Sequence, residues 1–262
     1  MYSRARLLAL LALALAGAAC GGGRASPPGP VIFAAASLQD VAGDLAREFQ
    51  RREGVAVELN LAASNTLAQQ IQAAPGADVF LSADLHWVEV LESAGRVVSG
   101  SWRVLLGNRL VLIAGSAAEV RIERPEELAD AEFSFLAMAD PEAVPAGRYA
   151  RATLEEIRIG GGTLWQPVAP RVAPTPDVRA ALALVESDPG IVGIVYSTDA
   201  RQSRAVRVLH EFPPQGAARV TYHGVVIEGG RWPDLGARFL DFVVAPEGRR
   251  ITGRHGFGAP PS

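Results

Sequence analysis

The chain of 262 residues contains no lysine, so all 25 of its basic residues are arginine. The absence of lysine excludes a Walker-type phosphate loop, a Schiff-base lysine and a serine–lysine nucleophile site. A single cysteine, Cys20, excludes an internal disulfide and a cysteine zinc cluster. The formal net charge is only -3, so no strong electrostatic field favours nucleic acid or an anionic membrane surface.

The N-terminus has the pattern of an export signal. Arg4 and Arg6 precede the apolar run 7–16, which is shorter than the roughly 20 residues that a membrane-spanning helix needs. Small residues then lead to Cys20, and the segment 1–20 resembles a bacterial lipoprotein signal, which is cleaved before a cysteine that becomes acylated. The alternative is an ordinary export signal that is cleaved nearby. We expect a periplasmic or extracytoplasmic protein that Cys20 anchors to a bacterial membrane through lipid.

Strand and helix patterns alternate after a short tether. The segment 21–30, GGGRASPPGP, has no core-forming residue and is predicted to be that tether. The apolar run VIFAAA begins at Val31, and a helical pattern follows in which Val41, Leu45 and Phe49 share one face. Repeated alternation of this kind predicts an α/β fold with mostly parallel sheets that are flanked by helices.

The order of the patterns predicts two lobes. A second strand–helix series follows NRLVLIAG, and near the C-terminus a lone strand, YHGVVIEGG, leads into a largely helical segment. NRLVLIAG is interpreted as the outward crossover between the lobes and YHGVVIEGG as the return crossover. We therefore expect lobe 1 to comprise 31–108 and 222–262, and lobe 2 to comprise 109–221.

Several strand-to-helix junctions carry residues that favour helix N-termini. Ser37 and Ser64 each follow a strand, and Ser37 forms an S-x-x-D capping box with Asp40. In the second series, VPAGRY and PTPDVRAAL have proline near the start of a helix. A helix N-terminus has unpaired N–H groups and a partial positive charge, so it can bind an anion. Because most capping serines bind only their own helix, the junctions alone indicate an anion-binding cleft and nothing more specific.

A set of motifs makes the prediction of an anion-binding cleft more specific. FAAASL, AASNTLAQQI, ADVFLSAD, LLGNRLVLIA, DPEAVPAGRYA, APTPDVRAALALVE and GIVGIVYSTDA occur in that order. They resemble the periplasmic molybdate-binding proteins of ABC importers, over nearly all of the chain after the tether. The resemblance implies a two-lobed type II periplasmic-binding-protein fold that closes on one tetrahedral oxyanion, molybdate or tungstate. It also implies a membrane permease as partner, a monomeric state, no cofactor and no enzymatic activity.

The resemblance places five residues around the anion. Ser37 and Ser64 would each give a hydroxyl and a main-chain N–H, and Ala146 and Val178 would each give an N–H. Tyr196 would give its phenol hydroxyl. These donors are neutral, and the metal would be present only within the oxyanion, without direct protein ligands.

Two alternatives stay open at this stage. A carrier of sulfate, thiosulfate or another tetrahedral oxyanion would differ mainly in the size of its cavity. An enzyme or a ligand-sensing domain could share the fold, although the export signal argues against a cytoplasmic sensor and no nucleophile or cofactor motif is present. The histidines have no metal-ligand spacing and are interpreted as surface or packing residues; they are His86, His210, His223 and His255.

Three further residues near these motifs receive structural interpretations. Asp177 and Arg179 flank Val178, and we expect a helix cap and a surface ion pair. Tyr222 lies on the return crossover, where a hinge position is expected rather than contact with a ligand.

Overall fold

A computed structural model describes residues 27–260 of the chain. The predicted signal segment, with its Cys20, lies outside the described residues. Within them the fold is α/β, with two five-stranded sheets that are flanked by helices. No helix among the described residues is long and apolar enough to cross a membrane.

The regular elements are as follows. The strands are β1 (Val31–Ala35), β2 (Glu58–Ala62), β3 (Val79–Ser82), β4 (Arg103–Asn108), β5 (Leu110–Gly115), β6 (Phe135–Ala139), β7 (Arg158–Ile159), β8 (Gly162–Thr163), β9 (Val172–Thr175), β10 (Ile191–Tyr196), β11 (Val206–Glu211) and β12 (Val220–Val226). The α-helices are α1 (Gln39–Glu53), α2 (Ser64–Ala73), α3 (His86–Ser93), α4 (Pro145–Glu156), α5 (Trp165–Val168), α6 (Val178–Ser187), α7 (Ser197–Gln202), α8 (Pro233–Val244) and α9 (Pro246–Arg254). Short 3₁₀ turns lie at Ala36–Leu38, Pro125–Ala129, Ala169–Arg171 and Gly216–Ala218.

The end of the predicted tether already belongs to the fold. The carbonyl of Pro27 accepts a hydrogen bond of 2.7 Å from the N–H of Ala56. Gly29 lies so close to this segment that an added Cβ would come within 2.3 Å of the Ala56 carbonyl oxygen. The predicted end of the tether at residue 30 is therefore a few residues too late. Glycine at position 29 allows this close backbone contact because it has no Cβ.

The two sheets define the two lobes. The first sheet has the order β2-β1-β3-β12-β4, and the second has the order β11-β5-β10-β6-β9. The sheets were predicted to be mostly parallel, but each has two parallel and two antiparallel strand pairings. β1 pairs in parallel with β2 and β3, whereas β12 pairs antiparallel with β3 and β4. In the second sheet β6 pairs in parallel with β9 and β10, and β5 pairs antiparallel with β10 and β11.

The chain leaves the first sheet within the motif NRLVLIAG. This motif is not one strand, because β4 ends at Asn108 and β5 begins at Leu110 in the other sheet. Only Arg109 lies between them. The return passes from β11 to β12, so the first sheet receives strands from both ends of the described chain. The full lobe boundaries stay a prediction.

Helix periodicity places the apolar faces where the sequence predicts them. α1 buries Val41, Leu45 and Phe49, and it ends at Gly54, which adopts the left-handed conformation with φ 70°. The ring of Phe49 packs edge-on against Phe239 of α8, with 5.2 Å between the ring centroids. The C-terminal helices therefore pack on the first lobe.

Candidate functional site

A small cavity lies between the two lobes. Its volume is about 10 Å³. The lining consists of Ala35, Ala36, Ser37, Ala63, Ser64 and Ala83 from the first lobe and Val144, Pro145, Ala146, Asp177, Val178 and Tyr196 from the second. The structure thus brings together, in one lining, all five residues that the sequence places around an anion. Larger clefts elsewhere on the described surface contain none of these five.

Helix N-termini from both lobes meet at this cavity. Ser64 and Val178 are the first residues of α2 and α6, and Ala146 is the second residue of α4. Ser37 lies in the 3₁₀ turn that leads into α1. The first N–H groups of a helix have no partner within it, and together they give its N-terminus a partial positive charge. The cavity is therefore suited to an anion without any cationic side chain in its lining.

The predicted capping box at Ser37 is wrong. The 3₁₀ turn moves the start of α1 to Gln39, so Ser37 no longer occupies the cap position. Its Oγ instead accepts a hydrogen bond of 2.9 Å from the hydroxyl of Tyr222. The carboxylate of Asp40 pairs with Arg179 of the other lobe rather than with its own helix.

Ser64 is also not a helix cap. The cap position of α2 is Ala63, and Ser64 is already helical. Its buried Oγ accepts a hydrogen bond of 3.1 Å from the N–H of Ala83, which follows β3. This bond fixes the hydroxyl oxygen at the cavity wall and leaves the hydroxyl proton available to a ligand.

Tyr196 contributes a buried hydroxyl that lacks a partner. The residue ends β10, and its side chain is 1% exposed. Among residues 27–260, no group forms a hydrogen bond with its Oη. Burial raises the pKa of the Tyr196 hydroxyl well above its ordinary value, so the group stays a neutral donor. An unpaired buried hydroxyl is costly, and a bound ligand would explain it.

The N-terminus of α4 reaches the cavity because Gly147 permits close packing. A Cβ at Gly147 would lie 2.2 Å from the carbonyl oxygen of Ala139 at the end of β6. Only glycine allows this approach, and it holds the neighbouring Ala146 against the cavity. The glycine of the motif VPAG therefore has a packing role.

The helix cap predicted for Asp177 is confirmed, and the surface ion pair with Arg179 is wrong. Asp177 Oδ1 accepts hydrogen bonds from the N–H groups of Arg179 and Ala180, at 2.8 and 2.9 Å. The guanidinium of Arg179 turns away, towards Asp40 of the first lobe and the buried Asp199. Asp199 was not predicted from the sequence, although its position in the motif YSTDA, shortly after the buried strand β10, was an available signal.

Two further contacts join the lobes beside the cavity. Arg148 of α4 lies 3.3 Å from the carboxylate of Asp84, which follows β3. Burial raises the pKa of Asp84, and the charge of Arg148 opposes this shift. The indole N–H of Trp87 donates a hydrogen bond of 3.1 Å to the carbonyl of Ala143. The two lobes are therefore in direct contact, in a closed arrangement.

The described histidines do not form a metal site. Within residues 27–260 no group of three or more histidine, cysteine, aspartate or glutamate residues is placed to hold a metal ion. His223 stacks on Trp102, whose indole N–H donates to Nδ1 at 3.1 Å, and burial lowers the pKa of His223 to about 4. Its packing role agrees with the sequence-based expectation.

The fold and the interlobe cavity are those of a solute-binding protein. A family model described as bacterial extracellular solute-binding protein matches residues 30–258, and the chain belongs to this family. The molybdate-binding protein ModA of Escherichia coli (strain K12) is 36% identical over 234 residues, which cover 86% of this chain and 87% of that protein. The molybdate-binding protein ModA of Haemophilus influenzae is likewise 36% identical, over 87% of this chain and 89% of that protein.

A solved structure agrees at the level of the fold. The periplasmic molybdate-binding protein of Azotobacter vinelandii superimposes with a TM-score of 0.77 at 20% identity, over 88% of this chain and all of that chain. The resemblance read from the motifs and the predicted two-lobed fold are confirmed.

Proposed function

We propose that this protein binds molybdate, and also tungstate, in the interlobe cavity and delivers the anion to the membrane permease of an ABC importer. One observation carries the proposal. The buried hydroxyl of Tyr196, which has no partner within residues 27–260, lines the same cavity as Ser37, Ser64 and two helix N-termini. The names of the relatives supply the identity of the anion, and the cavity supplies the donors.

Neutral donors are sufficient for a dianion in such a site. Removing an anion from water is costly unless hydrogen bonds and dipoles compensate for the lost hydration. A hydrogen bond to a charged group contributes about 1.5–3 kcal/mol, and several donors converge here. Asp177 is the one acidic residue of the lining, and its Oδ1 is engaged by the N–H groups of its own helix. The lining contains no arginine, which avoids the tight bidentate pairing that would slow release to a permease.

We further propose that the protein is a monomer and that it acts outside the cytoplasm. Cys20 would become the first residue of the mature chain and carry the lipid that anchors it, since the signal pattern ends there. Mass spectrometry of the protein from its native membrane tests this point. A mature N-terminus beyond Gly21 without lipid would contradict the anchor and leave the binding function intact.

Calorimetric titration tests the function directly. Molybdate, tungstate, sulfate and phosphate are each titrated into the purified protein. We expect molybdate and tungstate to bind with similar affinity and both to bind more tightly than sulfate. Tighter binding of sulfate would indicate a sulfate carrier, and no binding of any of the four anions would contradict an oxyanion carrier altogether.

A further inference from the structure

A buried tyrosine connects the predicted anion site to the strands that link the lobes. Tyr222 lies on β12 and has no solvent exposure. Its hydroxyl donates to Oγ of Ser37 at 2.9 Å and accepts from Nδ2 of Asn108 at 3.2 Å. Tyr222 is absent from the cavity lining, so it contacts the predicted ligand only through Ser37.

The orientation of the Asn108 amide is fixed by its other partners. Oδ1 accepts a hydrogen bond of 2.8 Å from the backbone N–H of Arg109 and one of 3.1 Å from the hydroxyl of Ser197. A backbone N–H can only donate, so the atom that faces Arg109 must be the oxygen. The amide nitrogen then faces Tyr222 and the hydroxyl of Thr198, which lies at 2.9 Å.

This orientation sets the direction of every proton in the chain of bonds. The oxygen of Tyr222 accepts a hydrogen bond from the Asn108 amide. Within residues 27–260 the only other partner of this hydroxyl is Oγ of Ser37, so the Tyr222 proton is directed to Ser37. Oγ of Ser37 is thereby an acceptor on its inner side. Within residues 27–260, no protein group accepts the hydroxyl proton of Ser37. That proton is therefore free to point into the cavity.

We propose that Tyr222, itself oriented by Asn108, is a positioning residue that makes Ser37 a hydrogen-bond donor towards the bound oxyanion. This inference rests on the proposed function, because it assigns Tyr222 to the same anion site. Asn108 ends the strand at which the chain leaves the first lobe, and Ser197, which donates to its Oδ1, begins α7 of the second lobe. The orientation of Ser37 thus depends on the contact between the lobes. An oxyanion oxygen that carries no proton can accept the hydrogen bond from Ser37. An oxyanion oxygen that carries a proton would instead place a second donor against the Ser37 hydroxyl.

The first test is Tyr222→Phe, which removes the hydroxyl and keeps the ring. The ring packs against Tyr196 and Phe257, at centroid distances of 6.0 and 5.5 Å. Loss of one oriented hydrogen bond should weaken binding of molybdate by about 5- to 30-fold. The affinity for phosphate should fall less, because an unoriented Ser37 hydroxyl can also accept a hydrogen bond from a protonated phosphate oxygen. Thermal unfolding of the ligand-free variant checks that it folds.

A double-mutant cycle separates this role from simple packing. Tyr222→Phe is measured in the wild-type protein and in Ser37→Ala. If Tyr222 acts through the Ser37 hydroxyl, its effect on affinity should shrink to less than about twofold in the Ser37→Ala protein. An equal loss in both proteins, or no loss in the wild type, would overturn the inference.

Two more variants keep the test decisive. Asn108→Asp retains the acceptor for Arg109 but removes the donor to Tyr222, so the Tyr222 proton should turn to the new carboxylate and binding should weaken. Thr198→Val is the matched control, because it removes the other acceptor of the same amide and leaves the bond to Ser37 in place. We expect Thr198→Val to bind within about twofold of the wild type, whereas an equal loss in both variants would contradict the inference.

The wild-type titration distinguishes the two failures. If the wild type prefers sulfate to molybdate, the proposed ligand is wrong and the cycle is run with sulfate. If the wild type binds molybdate and the cycle shows no coupling, only the role of Tyr222 is wrong. Absence of binding by all four anions would overturn both.

Discussion

Nε of Arg179 lies 2.9 Å from Oδ1 of Asp199, a carboxyl group with no solvent exposure. The same guanidinium also pairs with Asp40 across the interlobe boundary. Arg179 directly follows Val178 of the cavity lining. One side chain therefore compensates an internal acid and joins the two lobes beside the predicted anion site.

Substitution of Arg179 and substitution of its partner Asp40 should change the free energy of unfolding by very different amounts. Arg179→Ala leaves Asp199 buried without a counter-charge and should lower the free energy of unfolding by about 3–5 kcal/mol at pH 8. Asp40→Asn removes a half-exposed partner and should cost only about 0–1 kcal/mol. Urea unfolding measures both values. The double variant Arg179→Ala/Asp199→Asn should recover much of the loss, and failure to recover would show that the guanidinium matters for packing instead.

Asp199 should make stability depend on pH. Burial raises its pKa from 3.8 to about 7, against the opposing charge of Arg179. Between these values the folded protein binds more protons than the unfolded chain, so the free energy of unfolding falls as pH rises from about 4 to about 7. Above that interval the contribution is constant.

Asp199→Asn isolates this effect from other groups. Urea unfolding of the wild type and the variant is compared from pH 4.5 to pH 8. The stability of the wild type relative to the variant should decrease across the interval and then level off. A constant difference would mean that Asp199 titrates at its ordinary pKa in the folded protein.

Ser64→Ala should affect both binding and folding. The substitution removes a predicted ligand donor and also leaves the buried N–H of Ala83 without its 3.1 Å partner. We expect anion binding to weaken by about 1–3 kcal/mol and the free energy of unfolding to fall by a similar amount. Calorimetry and urea unfolding measure the two effects. Ser187→Ala, at an exposed helix end, is the control and should change neither; unchanged binding in Ser64→Ala would place the anion elsewhere.

Gly147→Ala tests whether close packing holds the second-lobe donor in place. Its added Cβ would lie 2.2 Å from the carbonyl oxygen of Ala139, so α4 must move away from β6. We expect a loss of roughly 1–3 kcal/mol in stability and weaker anion binding through Ala146. The matched control is Gly43→Ala in α1, where the nearest atom would lie at 3.5 Å. That variant should gain about 0.5–1 kcal/mol from helix propensity; equal effects in the two variants would contradict the argument.

Local patterns in the sequence predicted the elements but not their polar partners. The 3.6-residue period of Val41, Leu45 and Phe49 depends on one helix alone, and α1 follows it. That helical pattern needed no knowledge of distant residues. The five residues of the predicted anion set came instead from the resemblance to the molybdate-binding proteins, and all five lie in one lining.

The roles of individual polar groups depended on residues far away in the chain. Ser37 was interpreted as a cap because its local pattern allows it, yet its partner Tyr222 is 185 residues away. Arg179 meets Asp40 at a separation of 139 residues. A local capping pattern competes with such long-range bonds, and only the folded chain determines which of them forms.

Tyr196→Phe separates the ligand role of Tyr196 from its packing role. The ring is buried and the hydroxyl has no partner within residues 27–260, so removing the oxygen should leave the stability of the ligand-free protein unchanged or slightly increased. Binding of molybdate should weaken by about 1–3 kcal/mol, because the anion loses one donor. Urea unfolding and calorimetry measure these opposite responses.

The loss should appear mainly as faster release. Tyr196 belongs to the second lobe, whereas Ser37 and Ser64 belong to the first, so Tyr196 can reach an anion held by the serines only when the lobes close. A contact of this kind favours the closed state, and its removal should raise the dissociation rate more than it lowers the association rate. Trp87, which bonds across the lobes to Ala143, provides a fluorescence signal for stopped-flow measurement. Saturating ligand should still close the variant, because Ala146 and Val178 also lie on the second-lobe side of the cavity. An unchanged dissociation rate would show that Tyr196 packs against the cavity without holding the anion.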